Sequence, residues 1–387
     1  MFSVLVIENV TVVDANGAQD GPLVVENGRV ESIGTAPKDP DEVLDGHGGV
    51  VAPGLIDSHV HISMDGRPDT ATLTSQSPST LAYRAAANLE RTVRAGVTTV
   101  RDLGSPGTLG PDTRDAVAEG IVEGPRVVPC GSPVVVTGGH GHWFGREADG
   151  AAEVRKAVRE QLKDGAEVIK TMASGGVLTE GAEIGGHEMS PEELGTLVST
   201  ANAKGRPTAA HCHSTESIAN ATAAGIDSVE HGTFMDDATA EAMATSGTYW
   251  VPTASALHGI VENGTDDGIP DWAVTKAREA TDAFDDAWTH ALNHDVPIAM
   301  GTDAGTPFNH HGDAAHELEL MVEYGLSPTR AFEAATVNAA ELLGLDRVGK
   351  LESGYRADCV VLDSDPRESE SAYRSPRAVI ADGTVVR

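Results

Sequence analysis

Short β-rich runs open and close this chain, while its middle alternates buried-type apolar runs with segments of helical period. Over residues 1–50, runs at 4–7, 10–13, 22–25 and 29–33 are separated by Asn16-Gly17 and Glu26-Asn27-Gly28, turn chemistry that predicts antiparallel strands. The last segment is built alike, with runs at 359–362 and 378–381, then Asp382-Gly383 and 385–386. The two ends are expected to pair into one small β-sandwich. Between them, near-continuous apolar runs stand at 51–62, 97–103, 126–136, 167–173, 207–213, 228–234, 250–255 and 298–303. Helical windows fall at 81–95, 152–164, 191–204, 215–224, 238–246, 273–294 and 314–324. Eight buried strands alternating with helices predict an α/β fold, a (β/α)8 TIM barrel. The expected division is a β-sandwich domain from 1–50 and 346–387 and a barrel domain over 51–345. The alternative, a doubly wound open sheet, would place a Gly-rich phosphate loop after its first strand, where Asp57-Ser58-His59 stands instead.

Composition narrows the partners. The 387 residues suit a barrel plus a smaller domain better than one compact core. Fifty-nine acidic residues against 27 Lys+Arg give a formal net charge of -32. That balance argues against nucleic acid and anionic membranes, both of which need a basic face. The plain explanation is a hydrated acidic surface, as a salty cytoplasm or halophilic host would favour. Cys130, Cys212 and Cys359 are few, odd in number and widely spaced, which predicts a reducing, cytoplasmic compartment without disulfides. Residues 1–9 lack the basic start and long apolar core of a signal peptide, and no apolar run is long enough to span a bilayer.

Barrel sites form at the C-terminal ends of the strands. Standing there are His59 and His61 on the first strand, Lys170 on the fourth, His211 and His213 on the fifth, His231 on the sixth and Asp303 on the eighth. A His-x-His pair on a strand points both imidazoles to one face, and two such nitrogens with a distant carboxylate suit a divalent metal. One strand-end histidine is ordinarily structural; five of them with a lysine and an aspartate at one end of successive strands point to a metal centre. By alternation, Cys212 faces away from it and packs in the core.

The motifs carry a resemblance. Pro53-Gly54-Leu55-Ile56-Asp57-Ser58-His59-Val60-His61 resembles the first-strand motif of the amidohydrolase superfamily. Ile169-Lys170-Thr171-Met172-Ala173-Ser174-Gly175-Gly176, Ala210-His211-Cys212-His213 and Ser228-Val229-Glu230-His231-Gly232-Thr233 resemble its branch related to imidazolonepropionase and to Xaa-Pro and Xaa-Arg/Lys dipeptidases. Gly301-Thr302-Asp303-Ala304-Gly305 is similar to the eighth-strand motif, and Gly349–Asp358 to the segment leading back into the sandwich. The resemblance implies that His59, His61 and Asp303 hold one metal, that His211 and His231 hold a second, and that Lys170 bridges them as a carbamate. A free ammonium cannot ligate, whereas a carboxylated lysine presents two anionic oxygens, and a bare charge inside an apolar strand is expensive. The family pattern puts the ligand first in His211-Cys212-His213, leaving His213 to face substrate. The opposite choice makes His213-Ser214-Thr215-Glu216 the His-x-x-Glu of related deaminases, with Glu216 shuttling protons; otherwise Glu216 only serves a helix N-terminus. Gly138-Gly139-His140-Gly141-His142 resembles the loop whose histidine reaches substrate, which makes His140 a substrate contact and His142 a weaker candidate. Asn309-His310-His311-Gly312 could line the mouth.

The expected activity is hydrolysis of a C–N bond in a small amide or dipeptide, or an N-acyl amino acid, by metal-bound hydroxide. Asp303 would both ligate and take the water proton. Zinc is the default for two such ions, with manganese, iron or cobalt as substitutes. The alternatives are a cyclic-amide hydrolase like imidazolonepropionase, a deaminase, or a non-catalytic scaffold, which would ordinarily have lost several ligands. Self-association into a homo-oligomer stays open.

Overall fold

The computed structural model describes residues 4–68, 70, 75–181, 183–265 and 268–387; residues 1–3 of the expected N-terminal segment lie outside these. The two chain ends do share one sheet. Its centre is the parallel pair Val4–Asp14 and Glu42–Pro53. Leu23–Glu26 and Arg29–Ile33 extend one side. Cys359–Leu362, Ala378–Ala381 and Thr384–Val385 extend the other, with Cys359 opposite Pro53. Leu5, Ile7, Leu23, Val25, Val361 and Ile380 meet in one apolar cluster, so period-two burial holds the ends together. Glu42–Pro53 was not expected as a strand, because its first half, Glu42-Val43-Leu44-Asp45-Gly46-His47-Gly48-Gly49, has too few apolar positions to show a period.

The apolar runs of the middle form two parallel sheets. One holds Leu55–Val60, Val97–Asp102 and Arg126–Pro129. The other runs through Val134–Val135, Ile169–Met172, Thr208–Cys212, Ser228–His231 and Tyr249–Val251. Residues 297–304 join the two: Trp250 N–H donates to Pro297 O at 2.8 Å, and on the far side Asp303 N–H donates to His59 O at 2.7 Å. Glu167 N–H donates to Pro129 O at 2.8 Å and links the sheets again at their other edges.

Several expected strands take different bounds; the 250–255 run is strand only to Val251, and its last two residues open the Ala254–Asn263 helix. The 51–62 run breaks at Gly54, where a Cβ would lie 2.3 Å from Thr98 Cγ2; Pro53 ends the end-built sheet and Leu55 starts the inner strand. The 126–136 run is two short strands. The 298–303 run makes only isolated bridges, Trp250↔Ile298 and Val60↔Ala304.

All the expected helices form, some with clear start signals. Ser190 and Glu193 make a reciprocal capping box for Pro191–Asn202, and Thr215–Ala224 ends on left-handed Gly225. Helices at Leu109–Ala118, Ala254–Asn263, Pro328–Ala334 and Val337–Leu342 were not anticipated. The first two have no cap from the side chain of their own N-cap residue, and the last two are under two turns and half buried. Among the described residues, no helix is long and apolar enough to cross a membrane.

Candidate metal centre

His59 and His61 share a face, as the two-residue period requires. Their Nε2 atoms lie 3.4 and 3.2 Å from one oxygen of Asp303, Oδ1, and one ligand atom from each residue falls within 4.8 Å of the others. The outer nitrogens fix the tautomers. His59 Nδ1–H donates to Glu230 Oε2 at 2.8 Å, and His61 Nδ1–H to Gly104 O at 3.1 Å. In its neutral form each ring then presents an Nε2 lone pair toward a carboxylate oxygen that has no hydrogen bond among the described residues. Three buried acceptors aimed at each other repel unless a cation sits among them, so the donor set fits a divalent metal.

Lys170 is buried on the Ile169–Met172 strand of the other parallel sheet, and its Nζ has no hydrogen-bond partner among the described residues. Beside it stand His211 and His231, with ring centroids 4.6 Å apart; His231 lies 5.2 Å from His59. Here too the tautomers are set. Thr253 Oγ1 gives its hydrogen to Pro252 O and therefore accepts from His231 Nδ1 at 2.7 Å. His211 Nε2 donates to Gly175 O at 3.3 Å. This leaves Nε2 of His231 and Nδ1 of His211 unprotonated. His213 stacks on His231 at 5.0 Å and hydrogen-bonds Thr233 Oγ1 at 2.7 Å. His140 lies 4.4 Å from His211, hydrogen-bonded to Thr179 Oγ1 at 2.8 Å.

Strand alternation alone would not deliver this set. Ser228 and Glu230 both face inward, so His231 should face out. It takes φ 66° instead, and Asp303 takes φ 59°. A left-handed non-glycine residue costs on the order of 1–3 kcal/mol and persists only where its surroundings enforce it. They do here: Trp250 Nε1–H holds His231 O at 2.8 Å. Asp57 accepts from Thr302 N–H at 3.0 Å and Thr302 Oγ1 at 2.7 Å, immediately before Asp303. Gly301 leaves room for this crossing, since a Cβ there would lie 2.9 Å from His59 Cβ.

Behind His59 runs a wholly buried ion network. Glu230 Oε1 accepts from Arg101 Nη2 at 3.0 Å and from Ser228 Oγ at 2.5 Å, and Arg101 Nε–H donates to Ser58 O at 2.5 Å. Burial would raise the Glu230 carboxyl, but Arg101 and His59 together bring it down to about 2. Burial lowers His59 to about 4 and puts His140 and His213 at about 3. It also takes His211 and His231 well below the ordinary imidazole value. His61 goes the other way, since Asp303 and Asp102 outweigh its burial. Lys170 is lowered, chiefly by burial.

The eight expected site residues, His59, His61, His140, Lys170, His211, His213, His231 and Asp303, line one cavity. Other candidates fall outside it. Glu216 is exposed and pairs with His187 at 3.6 Å, away from any proton it would shuttle. His142 is exposed, its Nδ1 on Gly139 O. His311 is buried but braces the backbone, Nε2 reaching His61 O and Met64 O at 3.2 and 3.1 Å. Cys212 is buried with its sulfur toward Ser217 O. The reading of the sequence missed Glu230, Arg101 and Asp57 as supports. Arg101 carried the same signal as Lys170, a cation inside a buried strand.

The amidohydrolase family profile matches residues 50–386. The chain belongs to the amidohydrolase family. It is 32% identical over 361 residues to ochratoxinase of Aspergillus niger, covering 85% of this chain and 73% of that one. A solved Xaa-Pro dipeptidase with methionine bound in its active site is 32% identical, with TM-score 0.90 over 99% of both chains. A prolidase complexed with N-methylphosphonate-L-proline is 28% identical, with TM-score 0.92 over 100% of both. This amidohydrolase is thus a hydrolase of carbon–nitrogen bonds, and His59, His61 and Asp303 are a group that could hold its metal.

Proposed function

We propose that this amidohydrolase cleaves the amide of a dipeptide or N-acyl amino acid at a centre of two divalent ions. The observation that carries the reading is the convergence of His59 Nε2 and His61 Nε2 on Asp303, beside a buried Lys170 whose Nζ has no hydrogen-bond partner among the described residues. His59, His61 and Asp303 would hold one ion, His211 and His231 the other. Carboxylated Lys170 would bridge them, which turns a costly buried ammonium into an anion among ligands. Zinc suits this nitrogen and oxygen set, with manganese, iron or cobalt as substitutes. When bound, such ions supply a water that loses its proton near neutral pH and a Lewis acid for the scissile carbonyl.

The residues of the chain do the rest. Asp303 takes the water proton and passes it to the leaving amine; its second oxygen is free of the His59–His61 contact. His213 and His140, neutral at pH 7 because burial holds them at about 3, hydrogen-bond the substrate carbonyl or carboxylate. Glu230, held ionised by Arg101, keeps His59 in the ligating tautomer. The methionine and the prolyl phosphonate bound by the two related structures support a substrate with a C-terminal amino acid. The exposed, paired Glu216 speaks against a deaminase.

The links around residues 297–304 and 167–172 support closure of the eight segments into a (β/α)8 barrel, with its domain over 51–345 and the end-built domain over 1–50 and 346–387. Glu42–Pro53 runs past that boundary and ties the two together. Three buried free thiols fit a cytoplasmic setting.

Elemental analysis with a screen of dipeptides, N-acyl amino acids, hydantoin-like rings and aminopurines tests the reading. Two ions per chain and turnover of the first two classes are expected. One ion at saturation with an unmodified Lys170 in a crystal structure overturns the paired centre, and turnover of rings or aminopurines alone overturns the substrate class.

A further inference from the structure

The polar lining of the cavity is the site histidines, Lys170 and Asp303, with Thr70 and Thr306; the rest is apolar. Among the described lining residues, Asp303 is the one acid and Lys170 the one ammonium, and both belong to the centre just described. The walls are Trp143 and Phe144 from the 138–145 loop, Met172 from its strand, Leu178 from the following loop, and Leu257 and Ile260 from the Ala254–Asn263 helix. Phe144 and Met172 belong to one buried apolar cluster with Trp143 packed on it. The charges nearest the wall are already engaged. Glu188 accepts the His140 N–H at 2.9 Å with both oxygens, and Lys276 Nζ donates to Gly176 O at 3.3 Å and Thr179 O at 2.8 Å.

From this lining we infer that the substrate side chain that fills the wall is bulky, apolar and uncharged, in the manner of phenylalanine, leucine or methionine, and that arginine, lysine, aspartate and glutamate are rejected there. The inference rests on the amide-hydrolase reading above and adds to it the choice among side chains. An apolar wall gains from each apolar atom it covers, whereas a charge placed against it loses its water without finding a partner. The surface works in the opposite direction for cations, because a net charge of -32 draws them toward the protein. That attraction is screened over about 8 Å at physiological ionic strength, while contact with the wall is not. Selectivity therefore survives salt, and for cationic substrates it sharpens.

Two panels on the metal-loaded full chain test this: glycyl dipeptides with Phe, Leu, Met, Arg, Lys, Asp or Glu second, and the same residues as N-terminal partner of glycine. In at least one panel the apolar members should exceed every charged member in kcat/KM by about 100-fold, at low and high salt alike. A charged substrate within tenfold of the best apolar one in both panels overturns the inference and leaves the hydrolase reading standing. Calorimetric binding of free L-phenylalanine, L-methionine and L-arginine to the loaded protein reads the wall without catalysis. If no amide is cleaved, tighter binding of the first two still supports the inference, and equal or tighter binding of arginine overturns it. Leu178, partly exposed on its loop, allows a gain of function: Leu178→Asp should raise glycyl-arginine turnover relative to glycyl-phenylalanine at least tenfold, and Leu178→Asn should not. A shift produced equally by both variants overturns the charge argument.

Discussion

Two His-x-His pairs stand at the ends of strands in different parallel sheets, Leu55–Val60 and Thr208–Cys212, and they are supported differently. His59 and His61 are surrounded by carboxylates: Asp303 between them, Glu230 behind His59 and Asp102 near His61. Among the described residues, His211 and His213 hydrogen-bond only neutral oxygens, Gly175 O and Thr233 Oγ1, and the neighbouring His231 meets Thr253 Oγ1. The first pair brings its own negative charge and can hold a cation alone. The second brings none, and its burial keeps its imidazoles neutral. A second ion there needs an anion from elsewhere, and Lys170 is the group placed to become one. One local motif thus serves two purposes, according to whether the opposing strands supply charge.

The largest effect should come from the charged side. Asp303→Asn keeps the shape and one oxygen but cannot accept a proton, so kcat should fall about 10²–10⁴-fold with the fold intact by circular dichroism. Near-normal turnover with full metal occupancy would place the base elsewhere and erase the functional difference between the pairs.

The neutral side is tested by stoichiometry. His211→Ala and Lys170→Ala should each cost about one of two ions, while His213→Ala keeps both and mainly raises KM, as loss of uniform substrate binding does. Metal loss from His213→Ala with none from His211→Ala would exchange the roles of the two histidines.

Glu230→Gln sharpens the comparison, because it removes one carboxylate from behind the first pair without touching a ligand. Groups that orient metal-bound histidines contribute about 10–100-fold in affinity, and a chelator titration should read a drop in that range. Since the variant leaves Arg101 buried without its counter-charge, Glu230→Asp should recover part of the affinity. An unchanged affinity would mean that strand geometry alone orients His59.

The smallest effect concerns stability and lies behind the cavity wall. Glu317, fully buried, accepts the Ala254 and Ser255 N–H groups at 2.9 and 2.8 Å and so starts the wall helix. Burial nevertheless raises it from an ordinary 4.5 to about 7. The folded chain therefore holds this proton where the unfolded chain has lost it, and the resulting stability is present below pH 4.5 and lost as pH rises to about 7. Urea unfolding across this range should show Glu317→Gln flattening a decline of a few kcal/mol at most. Parallel slopes for the two proteins would show that the helix dipole already offsets the burial.

Much of the molecule was legible in the amino-acid order. The two-residue period put His59 with His61 and His211 with His213, and buried-strand runs placed Lys170 and Asp303 at the same end as the histidines. Thr215–Ala224 was visible from its periodicity. These features are local, set by backbone sterics and by the number of residues per repeat. Other features are not. That His231 turns inward beside Glu230 depends on a left-handed residue enforced by Trp250, nineteen positions away. That Arg101 is a support for His59 depends on a carboxylate from a strand 129 positions along the chain. The wall helix at Ala254–Asn263 begins at a cap supplied by Glu317 rather than by its own sequence. The order of residues determined which chemistry could gather at one end of the strands. Only the packing of distant strands decided which histidines are backed by charge and which side chains close over them, because desolvation and ion pairing belong to neighbours in space and leave no period in the sequence.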